Sequence, residues 1–185
     1  RTIDDLMELS RIELGESPAR ERVAVHDVVH GAVARTRTLS EQRRIDVQTL
    51  DVLDSPVVIG DRRQLESALG NLVENAVKYS DPQSTVQVRV RVEGPWVELM
   101  VADQGIGIPP SEQDRIFERF YRVDRARSRE TGGTGLGLSI VRHVATNHGG
   151  EVLVSSQEGE GSTFVLRLPL AATTPPAPSS TEAVR

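Results

Sequence analysis

Cysteine is absent from all 185 residues, which excludes a disulfide framework and any thiolate metal site. Any metal should then be a hard ion held by oxygen. No run of 18 apolar residues occurs, and the N-terminal stretch lacks a basic-then-apolar leader. An excess of positive charge is also missing. With 22 Lys and Arg against 27 Asp and Glu the net charge is −5. That disfavours a general nucleic-acid binder, whose affinity rests on neutralising phosphates. Three nucleotide signatures are missing as well: Gly-Lys-Ser/Thr of a P-loop, the His-Arg-Asp loop and the Asp-Phe-Gly motif of eukaryotic-type kinases.

What is present is enough apolar material, 37% of residues, for one ordinary core with some chain left outside it. Ile3, Leu6, Met7, Leu9 and Ile12 mark residues 1–14 as the end of an amphipathic helix, closed by Gly15. Residues 15–24 read as a linker and 171–185, rich in Pro, Ser, Thr and Ala, as a disordered tail. Between them, 25–170 reads as one domain. A helix is expected from His26 to about Gln42, an alternating strand near Ile45–Leu50 and a short one at Pro56–Gly60. Asp61 is a good N-cap for a helix over 61–80, where Leu65, Ala68, Leu69, Leu72, Val73, Ala76 and Val77 recur at helical spacing. Val86, Val88, Val90 and Val92 alternate with polar residues, and Trp96–Val101 follows a Glu93-Gly94-Pro95 turn, which reads as a hairpin. A helix from just after Gly135 to about Asn147, stopped by His148-Gly149-Gly150, and strands 151–156 and 162–169 complete the pattern. The expected fold is an α/β two-layer sandwich: a mixed sheet with about three helices on one face.

The polar positions of the 61–80 helix are more specific. At about 100° per residue, Asn71, Asn75 and Lys78 fall within roughly 60° of one another, so two amides and an ammonium converge. Amide oxygens suit Mg²⁺ and the ammonium suits phosphate. Spacing alone is met equally by the wet face of an amphipathic helix. Two glycine motifs downstream decide it: Asp103-Gln-Gly-Ile-Gly-Ile-Pro109, which alone would be a turn, and Gly132-Gly-Thr-Gly-Leu-Gly-Leu138. Between them, the stretch from Arg119 to Arg129 carries five Arg (119, 122, 125, 127 and 129) against one acid, Asp124, a charge run that either meets water or embraces a polyphosphate. No strand precedes the late glycine motif, so it is not a dinucleotide fingerprint.

In this order the motifs resemble the ATP-binding catalytic domain of sensor histidine kinases, within the GHKL-type ATPases and kinases. Asn71-Leu-Val-Glu-Asn-Ala-Val-Lys-Tyr79 resembles the N box, which implies that Asn75 coordinates Mg²⁺, Asn71 supports metal or phosphates, and Lys78 and Tyr79 contact nucleotide. Asp103 with Gly105, Gly107 and Ile108 resembles the G1 box, its carboxylate accepting from the adenine amino group. Gly133, Thr134, Gly135, Leu136, Gly137 and Leu138 resemble the G2 box, whose backbone amides meet phosphates at a helix N-terminus. Ile116-Phe117-Glu-Arg-Phe120-Tyr-Arg122 resembles the F box, which implies a mobile lid over roughly 109–134 with Arg122 on the γ-phosphate. Phe117 and Phe120, at i and i+3, serve equally as core anchors.

The resemblance implies a cytoplasmic part of a dimeric, membrane-located sensor, with residues 1–14 the end of its dimerisation helix. It implies transfer of the γ-phosphate of Mg-ATP to a His of the dimerisation domain, expected upstream of Arg1, and on to an Asp of a response regulator. The four His present read as surface or structural: His26 at a helix start, His30, His143 and His148. Neither nucleic acid nor direct membrane contact is implied. The rivals are a hydrolytic ATPase of the same fold, a serine kinase and a nucleotide-binding scaffold. Asn71 stands where the hydrolases carry Glu, and an amide cannot act as base toward water. Glu74, about 60° around the helix from Asn71, is expected to face away.

Overall fold

The computed structural model describes residues 20–50, 56–123 and 133–172. The helix expected over 1–14, most of the tail and Arg125, Arg127 and Arg129 lie outside the described residues. The elements are β1 (Glu21–Ala24), α1 (Val25–Arg43), β2 (Asp46–Leu50), β3 (Val57–Gly60), α2 (Arg62–Tyr79), β4 (Thr85–Glu93), β5 (Trp96–Ala102), α3 (Gly137–Asn147), β6 (Glu151–Gln157) and β7 (Gly161–Pro169). Two 3₁₀ turns, Pro110–Glu112 and Arg115–Phe117, lie between β5 and α3.

Five strands form a mixed sheet in the order β2-β4-β5-β7-β6. Only β2 runs parallel to its neighbour; the β4–β5, β5–β7 and β6–β7 pairs are antiparallel. The period-2 pattern of β4 sends Val86, Val88 and Val90 inward, beside Val97, Leu99 and Val101 of β5 and Phe164, Leu166 and Leu168 of β7. The helices cover that face. Central α2 packs against α1 on one side and α3 on the other, and Leu65, Leu69, Leu72, Val73 and Val77 are fully buried. Asp61 caps it as expected, accepting from the amides of Arg63 and Gln64 at 2.9 and 3.2 Å.

The opposite sheet face carries a cross-strand charge row: Arg91, Glu98, Arg167 and Glu151 on four successive strands. Glu98 is only 1% exposed. Burial pushes its carboxyl up, but hydrogen bonds from Arg91 (2.6 Å) and Arg167 (2.7 Å) outweigh this and hold it below the ordinary glutamate range.

Three expectations need correction. Glu21–Ala24, read as linker, is a strand that pairs antiparallel with β3, and Val23 joins the core. The short strand at 57–60 belongs to that second, two-stranded sheet and not to the main one. Ala171, read as tail, is 8% exposed and its amide donates to the Val57 carbonyl. Very short strands carry no sequence signal of their partner, and backbone groups that would otherwise be orphaned decide the pairing.

Candidate nucleotide site

The same periodicity that buries the apolar face of α2 leaves Asn71, Asn75 and Lys78 half-buried at its edge. Neither asparagine amide has a hydrogen-bond partner among the described residues. Lys78 is bound: its Nζ lies 2.6 Å from Glu74 Oε1, with both side chains under 20% exposed. Glu74 therefore does not face away from the site. An i,i+4 pair on one helix stripe brings acid and base together, and the carboxylate occupies the ammonium.

Every motif touches another. A Cβ on Gly137, at the start of α3, would stand 3.5 Å from the Asn71 amide. At the other end of the N box, Tyr79 carbonyl accepts from Ile106 at 3.3 Å, and a Cβ on Gly105 would meet that carbonyl at 2.3 Å. Only glycine permits this approach. Tyr79 is 40% exposed at the opening. The G2 turn is held from the F box, for Phe120 amide donates to Gly135 carbonyl (2.9 Å) and Arg122 Nη1 to Gly133 carbonyl (2.6 Å). Thr134 Oγ1 accepts from the Leu136 amide at 3.3 Å. Among the described residues no side chain caps α3, so the first amides of the helix are of the kind that suits an anion.

Asp103 ends β5. Its Oδ1 accepts from the amides of Gly105 (2.9 Å) and Ser162 (3.2 Å), which leaves Oδ2 with no hydrogen bond among the described residues. Burial raises the carboxyl above its ordinary value, against the pull of those two N–H groups. Gly107, at φ 68°, lies against β6, where a Cβ would meet the Gln157 carbonyl at 2.0 Å. Ile108 is packed on the core edge.

Other expected site residues are placed differently. Phe117 is 7% exposed, edge-on to Phe164 and beneath the Arg142 guanidinium; Leu136 is 1% exposed and Leu138 packs on the core. Their side chains are support for the site, not its lining. Phe120 is 65% exposed with φ 63°, so the i,i+3 anchor pair does not form: the 3₁₀ turn ends at Phe117 and Glu118 is extended. The expected lid over 109–134 is also too long. Ile116 and Phe117 are core, Gln113 Nε2 donates to the carbonyls of Ile108 (3.1 Å) and Ser156 (2.9 Å), and Tyr121 hydroxyl bonds Glu112. Residues 124–132 lie outside the described residues. His148 is structural as expected, with Nε2 accepting from the Asp61 amide (3.0 Å) and Nδ1 at 2.7 Å from Val144 carbonyl.

Sequence reasoning missed Ser156, Ser162, Gln113 and the role of Glu74. The one signal available was Gly159-Glu-Gly161-Ser162, between the two expected strands: Gly161, at φ 113°, passes so close that a Cβ would lie 2.1 Å from the Asp103 carbonyl.

Residues 60–172 match the family model described as histidine kinase-, DNA gyrase B- and HSP90-like ATPase. The sensor-like histidine kinase SenX3 of Mycolicibacterium smegmatis is 46% identical over 171 residues, covering 90% of this chain and 44% of that protein. The phosphate regulon sensor protein PhoR of Pseudomonas aeruginosa is 36% identical, with 88% and 37% covered. The chain thus spans less than half the length of these relatives. Among solved structures, the mycobacterial sensor histidine kinase MprB superposes with a TM-score of 0.70 at 32% identity, covering 83% of this chain and 99% of that one. Full-length ShkA in complex with AMPPNP gives 0.79 at 25% identity, with 95% and 36% covered.

Proposed function

The chain belongs to the histidine kinase-, DNA gyrase B- and HSP90-like ATPase family, and from that premise we propose that it is the cytoplasmic ATP-binding catalytic domain of a dimeric sensor histidine kinase located at the membrane. The observation that carries this reading is the convergence of four separate motifs, Asn71 on Gly137, Tyr79 on Gly105 and Phe120 on Gly135, around the half-committed carboxylate of Asp103. No helix among the described residues is long and apolar enough to cross a membrane.

In this reading Asp103 Oδ2 accepts the adenine amino N–H, and Gly105 and Gly107 let the backbone come up to the base. The phosphates meet the amides of Gly133–Gly137. Lys78 exchanges Glu74 for phosphate oxygen, and Arg122 leaves the Gly133 carbonyl for the γ-phosphate. Asn71 and Asn75 fit Mg²⁺, since both amides are half-buried at the edge of α2 and unpartnered among the described residues. Their oxygens would hold the ion, which when bound neutralises phosphate charge. The protein's part is positioning and electrostatics. The γ-phosphoryl leaves ADP, breaking a P–O bond, as a P–N bond forms to an imidazole nitrogen of the dimerisation domain, and it passes next to an Asp of a response regulator. Hydrolysis is disfavoured, because Asn71, an amide, cannot take a proton from water.

Calorimetry with ATP, with and without Mg²⁺, tests the site. Binding is expected to require Mg²⁺, and Asn75→Ala is expected to abolish that requirement. Equal Mg²⁺ dependence in the variant would remove Asn75 from the metal.

A further inference from the structure

We propose that Ser156, on β6, is a positioning residue that ties the segment leaving the G1 box to the adenine-reading carboxylate, an inference that rests on the adenine role of Asp103. Its hydroxyl is saturated. Oγ accepts from the Ile108 amide at 2.8 Å, donates to the Gly161 carbonyl at 2.8 Å and meets Ser162 Oγ at 2.9 Å. A hydroxyl has one proton and two lone pairs, so with its proton on Gly161 it receives the Ser162 proton and the Ile108 N–H together. Ser162 in turn brackets Asp103: its amide donates to Oδ1 and its carbonyl accepts from the Asp103 amide at 2.9 Å. Gln113, just after the first 3₁₀ turn, grips the same place by donating to the carbonyls of both Ile108 and Ser156.

One side chain thus holds the segment leaving the G1 box, the turn that Gly161 carries past the Asp103 carbonyl, and the serine that orients the carboxylate. No other side-chain bond among the described residues links Ile108 to the β6–β7 hairpin except those of Gln113. Loss of the hydroxyl orphans the Ile108 N–H, frees the Ser162 hydroxyl to turn and loosens the amide that sets Oδ1. Base recognition suffers even though Ser156 need not touch the base.

The test compares adenosine, which lacks phosphates, and ATP on Ser156→Ala, Ser156→Thr and Asp103→Asn, each measured well below its unfolding midpoint so that only folded protein is titrated. Ser156→Ala is expected to weaken adenosine about tenfold, a loss on the scale of one displaced polar contact. It should also speed hydrogen exchange at the Ile108 amide. Ser156→Thr, which restores the hydroxyl on a side chain suited to a strand, is expected to recover both. Wild-type adenosine affinity in folded Ser156→Ala, while Asp103→Asn loses it, would overturn the proposal for Ser156 alone. Unchanged adenosine binding in Asp103→Asn would instead overturn the adenine reading beneath it.

Discussion

At Asp103 folding stability and the proposed adenine recognition pull in opposite directions. Its carboxyl lies above the ordinary value of 3.8 because burial outweighs the two backbone N–H groups on Oδ1. The folded state then holds that proton more tightly than the unfolded one, so the stability this group supplies is present below 3.8 and lost as pH rises through the folded pKa. At neutral pH the ionised side chain is a cost. Asp103→Asn should therefore leave the unfolding midpoint unchanged or higher, while calorimetry shows ATP binding weakened by about 1.5–3 kcal/mol, the scale of a hydrogen bond to a charged group. Unaltered affinity would take Asp103 out of adenine recognition. Asp103, Asn71 and Asn75 could be singled out in the sequence because each sits in a local motif. Ser162 was not, for it meets Asp103 across 59 residues of chain. Glu74 was misjudged because helical angle measures direction from the axis, while a long side chain reaches its i+4 neighbour regardless.

Among the elements, helices and long strands were legible from periodicity, since α2 and β4 each show one buried face in the expected register. The stretch after the G1 box was not. Two three-residue 3₁₀ turns have no period to read, and their burial comes from single anchors such as Phe117 against Phe164. Phe117→Ala should cost about 3–5 kcal/mol in denaturant unfolding; a loss no larger than that of a surface change would mean that this 3₁₀ segment is not anchored in the core. A second prediction concerns the joint between α3 and α2. Burial pushes His148 below its ordinary 6.5, against the Val144 carbonyl and the field of Asp61, and Arg20 pushes the same way as burial. The unfolded chain binds this proton more readily, so the stability it supplies is present above 6.5 and lost as pH falls through the folded value. Protonation would also aim an N–H of Nε2 at the Asp61 amide. Wild type should lose stability on acidification below 6.5 relative to His148→Gln; parallel curves for the two proteins would contradict a buried, neutral His148 at this joint.

For the whole molecule, the two-layer sandwich and its order of motifs followed from pattern, because alternating valines and one amphipathic helix leave few ways to close a core around a mixed sheet. The small β1–β3 sheet did not follow, since its pairing is set by backbone groups at both ends of the domain, from Glu21 to Ala171. The proposed site is assembled at one end of this sandwich from α2, the loop after β5, the 3₁₀ segment and the start of α3, so nucleotide binding there would be a property of the fold as a unit. The most direct measurement supplies the chain with labelled ATP, Mg²⁺ and a matching dimerisation domain that carries the acceptor His. The account predicts label on that His, none retained by this chain alone and no rapid phosphate release, because proximity provides the nucleophile. Rapid phosphate release by the chain alone, or tight ATP binding with no transfer in the mixture, would contradict it.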